Sequence, residues 1–438
     1  MRYRCYILVV AILVGLASCY DDTDDSTNPF TTVDWINTYG GSNNDAAFAI
    51  IETLDGNMVV HGYTGSVDGN ITDKTLQEND YWLIKLNPNG ELIWSKTYGG
   101  SGDDIGRNVI ETLDGGFALV GYSMSADGDG SNNEGFHDNW LIKLDATGEI
   151  QWEKSYGFAG HDHSYAVLQT ADGGYFMTGF LDVTASGGDG NSRRRHGVGE
   201  FWCHRLDANG DIIWRRYFGG TNNDRSFDAV QSDDGGFVIT GFTESDDFDI
   251  SSSRGSYDYW IIKLDASGNL VWEKSLGGSE IDQSRALVKT NDNGYIIAGN
   301  AFSQNGDIDQ NIGNSDFFLA KINDNGETVW TKNYGGSDFD FASSITTSNK
   351  GYIVAGYSKS SDNQVSSNHG DNDFWVIEID HNGNLINEKS FGGSGLDLAH
   401  DVLQLNDGSI VVVGETESND QDINDNKGQK DFLVVKFN

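Results

Sequence analysis

One segment recurs along the whole chain at near-constant spacing, and that repeat restricts the fold more than any other feature. Tyr98-Gly99-Gly100-Ser101 returns as Tyr39-Gly40-Gly41-Ser42, Phe218-Gly219-Gly220-Thr221 and Leu276-Gly277-Gly278-Ser279. It returns again as Tyr334-Gly335-Gly336-Ser337 and Phe391-Gly392-Gly393-Ser394, with a degenerate copy at Tyr156. The seven copies lie 57 to 62 residues apart. A period of this size signals one supersecondary unit stacked many times over.

Each unit holds four short segments. In the second, Asn108–Thr112 ends at the turn Asp114-Gly115-Gly116, and the apolar run Phe117–Tyr122 follows. A long polar loop leads to Trp140–Leu144, then the turn Asp145–Gly148, then Ile150–Lys154, which alternates apolar and polar residues. These are strand lengths punctuated by Asp-Gly and Gly-Gly turns. The two middle runs are apolar on both faces and suit strands sandwiched between neighbours, whereas the alternating last run suits an outer strand with one wet face. Four antiparallel strands repeated radially describe a propeller blade, strands A to D from the channel outward.

The ends of the array predict closure. The last repeat stops after its third strand, Asp431–Phe437, and the first recognisable segment, Asp34–Gly40, matches the outer strand Ile93–Gly99. The N-terminal strand therefore completes the last blade and removes two exposed edges. The expected fold is all-β, a seven-bladed β-propeller of four-stranded antiparallel blades over residues 31–438.

The pattern D-x-W-L-I-K-L-D-x-x-G-x-L-x-W-x-K-x-Y-G-G-S-x-x-D, seen from Asp258 through Trp272 to Asp282, resembles the bacterial β-propeller repeat family of exported and surface proteins. That resemblance is specific for fold and weak for function. The stretch Leu144–Trp152 also resembles the tryptophan-docking repeat of pyrroloquinoline quinone dehydrogenases, with one residue fewer between Asp and Gly. Its residues need no cofactor. Asp and Gly make the C–D turn, and Trp35, Trp94, Trp152, Trp214, Trp272 and Trp330 pack between blades, with Asn387 the exception.

The N-terminus carries Arg2 and Arg4, then an apolar run from Tyr6 to Ala17 that is too short to span a membrane comfortably. Leu16-Ala17-Ser18-Cys19 resembles the lipobox of bacterial lipoproteins. The resemblance implies a signal peptide over 1–18, lipid attachment at Cys19 and an acidic tether over 19–30. The run Asp21–Asp25 resembles the signal that exports some lipoproteins to the outer face of the outer membrane, so the expected location is an outer-membrane lipoprotein facing the exterior. Cys203 is left as a lone thiol, so stability rests on packing.

The formal charge of −39 repels phosphate backbones, which excludes nucleic acid as a partner. Within the repeat, an aspartate precedes every innermost strand: Asp45, Asp104, Asp162, Asp224, Asp282, Asp340 and Asp397. They are expected to ring one mouth of the channel. Each either accepts backbone N–H bonds from its own Gly-Gly-Ser turn, the preferred reading, or helps hold a cation there. The B–C loops are rich in Asp, Asn and Gly. Asp127, Asp129, Asp420 and Asp422 are candidate Ca²⁺ ligands, set against a solvated-loop reading.

Blade 3 departs from the pattern. Its D–A turn reads Gly160-His161-Asp162-His163, and its B–C loop carries Arg193, Arg194, Arg195 and His196, read as the one basic cluster of the chain. Arginines grip carboxylates and sulfates, and His161 with His163 is a candidate transition-metal pair. His204 reads as a packed core histidine. No nucleophile–His–Asp set or phosphate loop stands out. The expected function is a non-catalytic binding platform for a glycan or a protein, with Phe136, Phe248 and Tyr257 as exposed aromatics that could stack on sugars. The alternatives are a polysaccharide-active enzyme centred on blade 3 and a structural subunit of an envelope complex.

Overall fold

The structure is a computed structural model, and it describes residue 30 and residues 32–183, 197–309 and 311–437. The chain enters as β1 (Val33–Tyr39). Blade 1 follows as β2 (Asp45–Glu52), β3 (Met58–Thr64), β4 (Asp80–Leu86) and β5 (Leu92–Tyr98). Blade 2 is β6 (Asp104–Glu111), β7 (Phe117–Ser123), β8 (Asp138–Leu144) and β9 (Ile150–Tyr156). Blade 3 is β10 (His163–Gln169), β11 (Tyr175–Asp182), β12 (Gly199–Leu206) and β13 (Ile212–Phe218). Blade 4 is β14 (Asp224–Gln231), β15 (Phe237–Thr243), β16 (Asp258–Leu264) and β17 (Leu270–Leu276). Blade 5 is β18 (Asp282–Lys289), β19 (Tyr295–Ala301), β20 (Asp316–Ile322) and β21 (Thr328–Tyr334). Blade 6 is β22 (Asp340–Thr347), β23 (Gly351–Ser358), β24 (Asp373–Asp380) and β25 (Leu385–Phe391). The last three strands are β26 (Asp397–Gln404), β27 (Ile410–Thr416) and β28 (Asp431–Phe437).

Seven four-stranded antiparallel sheets result, and the seventh is β1-β28-β27-β26. β1 pairs with β28, placing Tyr39 opposite Phe432 and Ile36 opposite Val435. The ring is thus a closed seven-bladed propeller. Phe30, which the sequence placed at the end of the tether, is buried and stacks on Phe437 at 5.9 Å.

The core lies between the blades. Successive residues of a strand point to opposite faces, so one strand feeds two interfaces. In β4, Trp82, Ile84 and Leu86 pack with Val411, Phe432 and Val434 of blade 7, while Tyr81 and Leu83 pack with Trp140 and Ile142 of blade 2. Burying a side chain of that size contributes roughly 1.5–3 kcal/mol. This double duty explains why the two middle strands are apolar throughout.

Polar latches repeat at the outer edge. The Tyr98 hydroxyl donates to the Gly148 carbonyl of the next blade (2.7 Å), and Tyr156 does the same to Gly210 (2.6 Å). Gly148 sits at φ 79°, left-handed backbone that favours glycine. The tryptophans of the D strands pack on these turns: a Cβ on Gly268 would lie 3.0 Å from the Trp214 ring. No cofactor is needed to account for these tryptophans.

Candidate binding site in the central channel

The innermost strands carry a shared irregularity. In each, the register with strand B shifts near the third residue, so that one residue has no partner opposite it. The skipped residues are Phe48, Arg107, Tyr165, Phe227, Arg285, Ser343 and His400. A β-bulge leaves its extra residue unpaired and re-aims the side chain. All seven line one cavity of about 350 Å³ in the channel. Gln283, Asn300, Phe341 and Tyr357 complete its wall, near the rim where A strands begin and B strands end.

The cavity is basic and aromatic. Arg107 lies over the Phe48 ring at 4.1 Å, and its Nη2 donates to the Tyr122 hydroxyl at 3.2 Å. Arg285 lies over Phe227 at 4.2 Å and donates to Gln283. Arg225, nearer the rim, lies over Phe180 at 4.3 Å. Among the described residues no carboxylate lies within ion-pair distance of these three guanidinium groups. Burial lowers Arg285 from its usual range, and burial together with Arg107, Lys430 and Arg285 pushes His400 down to about 3. The expectation that Arg193–Arg195 form the one basic cluster is therefore corrected. Arg107, Arg225 and Arg285 stand on separate strands far apart in the sequence, and only radial assembly brings them to one channel. The sequence signal was available: the third residue after each repeated aspartate changes chemical type from blade to blade.

All seven aspartates of the repeat are fully buried, and they accept hydrogen bonds from the turns around them, the reading preferred from the sequence. Asp45 Oδ2 accepts from Gly41 N (2.8 Å) and from the Ser66 hydroxyl (2.9 Å), and Thr64 donates to Oδ1. Asp104, Asp224, Asp282, Asp340 and Asp397 accept in the same way from Gly100, Gly220, Gly278, Gly336 and Gly393. Asp162 accepts from Phe158 N and Asp182 N, and burial pushes it up to about 7.

The candidate Ca²⁺ ligands cap turns. Asp127 and Asp420 accept from Ser101 N (2.8 Å) and Ser394 N (2.7 Å). Asp129 and Asp422 accept from Gly99 N (3.2 Å) and Gly392 N (3.3 Å). The equivalent places elsewhere are filled by neutral amides: Asn305 caps Ser279 N, and Asn70 and Gln364 cap Gly40 N and Gly335 N. A slot that accepts a neutral amide selects a hydrogen-bond acceptor, not a charge.

Blade 3 contributes His161 and His163, and His137 of blade 2 joins them. The His137 and His161 Nδ1 atoms are 2.7 Å apart, and the His163 ring stacks on Tyr122 at 3.9 Å. Burial pushes His163 down to about 2 and lowers His137. His137 was missed because it lies 24 residues from His161 along the chain. Cys19, Arg193, Arg194, Arg195 and His196 lie outside the described residues. His204 is buried, 4.1 Å from Trp202 between ring centroids. Phe136 and Phe248 are exposed, whereas Tyr257 is half-buried against Phe242.

The chain matches no known family profile. It is 24% identical over 196 residues to regulatory protein FlaEY of Caulobacter vibrioides, a match covering 41% of this chain and 20% of that protein. The chain thus spans about a fifth of the length of this curated relative. Solved structures with a similar course include BamB from Moraxella catarrhalis, at 14% identity and TM-score 0.42, covering 93% of this chain and 99% of that one. The Pan2 WD40 domain of Neurospora crassa is 10% identical with TM-score 0.49, covering 89% of this chain and 88% of that one. These likenesses identify no ligand, and the functional reading rests on the channel.

Proposed function

We propose that this protein is a non-catalytic binding platform whose channel mouth takes an acidic glycan, one carrying carboxylate or sulfate groups. The observation that carries this reading is the pair Arg107 and Arg285. Both stand in an aromatic cavity of about 350 Å³, with no carboxylate partner among the described residues, in a chain of net charge −39. The cavity falls within the range of small-molecule sites, about 300–1,000 Å³. Guanidinium groups fork onto carboxylate and sulfate oxygens, and the rings of Phe48, Tyr165 and Phe227 give the cavity an aromatic wall behind them. A protein partner would dock on the rim and leave these recessed side chains unused. The reading places the propeller at the cell exterior on a lipid anchor at Cys19, supported by the Leu16–Cys19 motif and the acidic run after it.

Calorimetric titration with oligogalacturonate, a sulfated chondroitin oligosaccharide and a neutral cello-oligosaccharide tests this. Binding of an acidic probe, weakened at least tenfold in R107A and R285A and by added salt, is the expected result. Equal binding of the neutral probe, or acidic binding indifferent to both variants, overturns it.

A further inference from the structure

We propose that His137, His161 and His163 form a transition-metal site of the zinc class at the junction of blades 2 and 3, a site independent of glycan binding. The fold creates three adjacent places at this junction: the residue before the acid at the start of strand C (Asp138, Glu200 and Asp258), and the two residues flanking the aspartate that opens the next blade. At the junction of blades 3 and 4 these places hold Gly199, Asn223 and Arg225, and at that of blades 4 and 5 they hold Tyr257, Ile281 and Gln283. At blades 2 and 3 all three are histidine.

Backbone bonds fix the approach. His137 and His161 form a bridge between segments, Asp162 N donates to the His137 carbonyl at 2.7 Å, and Phe136 N donates to Gly160 O at 2.9 Å. One ring nitrogen from each histidine lies within 4.8 Å of the other two. A tetrahedral ion with Zn–N bonds of about 2.0–2.1 Å needs its nitrogens about 3.4 Å apart. Small rotations of the three rings therefore close the site. Nε2 of His137 and Nε2 of His163 are buried, and neither has a hydrogen-bond partner among the described residues. On the other side of its ring, His163 Nδ1 lies 3.3 Å from the Tyr165 hydroxyl. A ligating histidine leaves one nitrogen for the metal while an outer partner holds the other, and the Tyr165 hydroxyl stands where that partner is needed.

Three imidazoles suit Zn²⁺, Co²⁺, Ni²⁺ or Cu²⁺ and not the hard cation Ca²⁺. His161 is exposed with its ring stacked on Phe136, and Tyr122 packs on His137 and His163, so the cluster meets solvent on the His161 side. Of the charged groups facing the cluster, Asp103 beside His137 favours a cation, and Arg107 and Arg225 beside His163 oppose it.

The test is titration of the purified, metal-stripped protein with Co²⁺ followed by visible absorption, and with Zn²⁺ by calorimetry. One equivalent of Co²⁺ giving tetrahedral d–d bands, displaced by Zn²⁺ and abolished in H161A, is the expected result. His161 is exposed, so H161A folds, and an unchanged melting curve without metal verifies that. H369A, remote from the cluster, should keep the bands. Absence of stoichiometric binding, or binding unchanged in H161A, overturns the proposal. Neither outcome depends on whether an acidic glycan binds the channel.

Discussion

Glu378 Oε2 lies 3.2 Å from Lys350 Nζ, and this pair reverses the polarity of an ion pair built into other blades. In blades 1, 2 and 5 a lysine on strand C reaches an aspartate in the A–B turn: Lys85 to Asp55, Lys143 to Asp114, Lys321 to Asp292. In blade 6 strand C carries the acid and the turn carries the base. Asn387, the one departure from the tryptophan slot, donates to the same Glu378 Oε2 at 2.6 Å. The three exceptions are one exception. E378K alone sets two lysines together and strips Asn387 of its acceptor, so it should cost on the order of 2 kcal/mol, discounted for the half-exposed lysine. The double variant K350D/E378K should recover much of that in a thermal melt. A single variant that melts like wild type would refute the pairing.

Closure by β1 carries a second expectation. Removing residues 33–39 leaves β28 with an unpaired edge in the last blade. The truncated chain should melt at lower temperature and self-associate, as read by light scattering. A monomer with an unchanged melt would mean that the β1–β28 pairing is dispensable.

Capping, and not cation binding, is expected of the B–C loop aspartates. D127N and D420N should stay within about 0.5 kcal/mol of wild type, because Asn305 already performs this role in blade 5. D420A should cost about 1 kcal/mol, the net worth of the lost hydrogen bond. Melting in Ca²⁺ and in chelator should coincide. A chelator-sensitive melt that D420N abolishes would favour the calcium reading.

Stability should fall as pH rises from mild acid. Burial pushes Asp138, Asp373 and Asp431 up to about 6 and Asp316 up to about 7, from an ordinary 3.8. One oxygen of each is buried without a partner among the described residues. A folded-state pKa above the unfolded one means stability fully present below about 4 and lost as pH climbs through about 6–7. Asp172, held at about 2 chiefly by the Thr170 hydroxyl, and Asp234, held there chiefly by Ser232, act oppositely, losing stability as pH drops from about 4 to about 2. Buried His61, His204 and His400, pushed down to about 3, also lose stability as pH falls below about 6.5, so calorimetric melts at constant ionic strength should peak in mild acid and decline toward pH 8. A melting temperature that rises from pH 5 to 8 would contradict this.

The blades and their closure were legible because each strand announces itself locally, through Asp-Gly-Gly and Asp-x-x-Gly turns and runs apolar on both faces. The channel was not. Arg107 and Arg285 are 178 residues apart on strands that never pair with one another, and only their shared place three residues after a repeated aspartate links them in the sequence. His137 belongs to blade 2 and His161 to the crossing into blade 3, so their meeting depends on the backbone bridge between those segments. The repeat itself drew attention to its most constant residues, the seven aspartates, which serve each blade's own geometry. The residues that break the repeat at fixed places are the ones the channel collects.

The seven bulges also bear on how such a chain can change. Because each bulged side chain has no partner across the ladder, exchanging Phe48 or Ser343 for another residue disturbs no strand pairing. The channel wall is then a set of seven pins, several touching a neighbour, in a lock whose barrel stays the same. A lineage can recut one pin at a time for a new key while the rest of the propeller goes on folding as before.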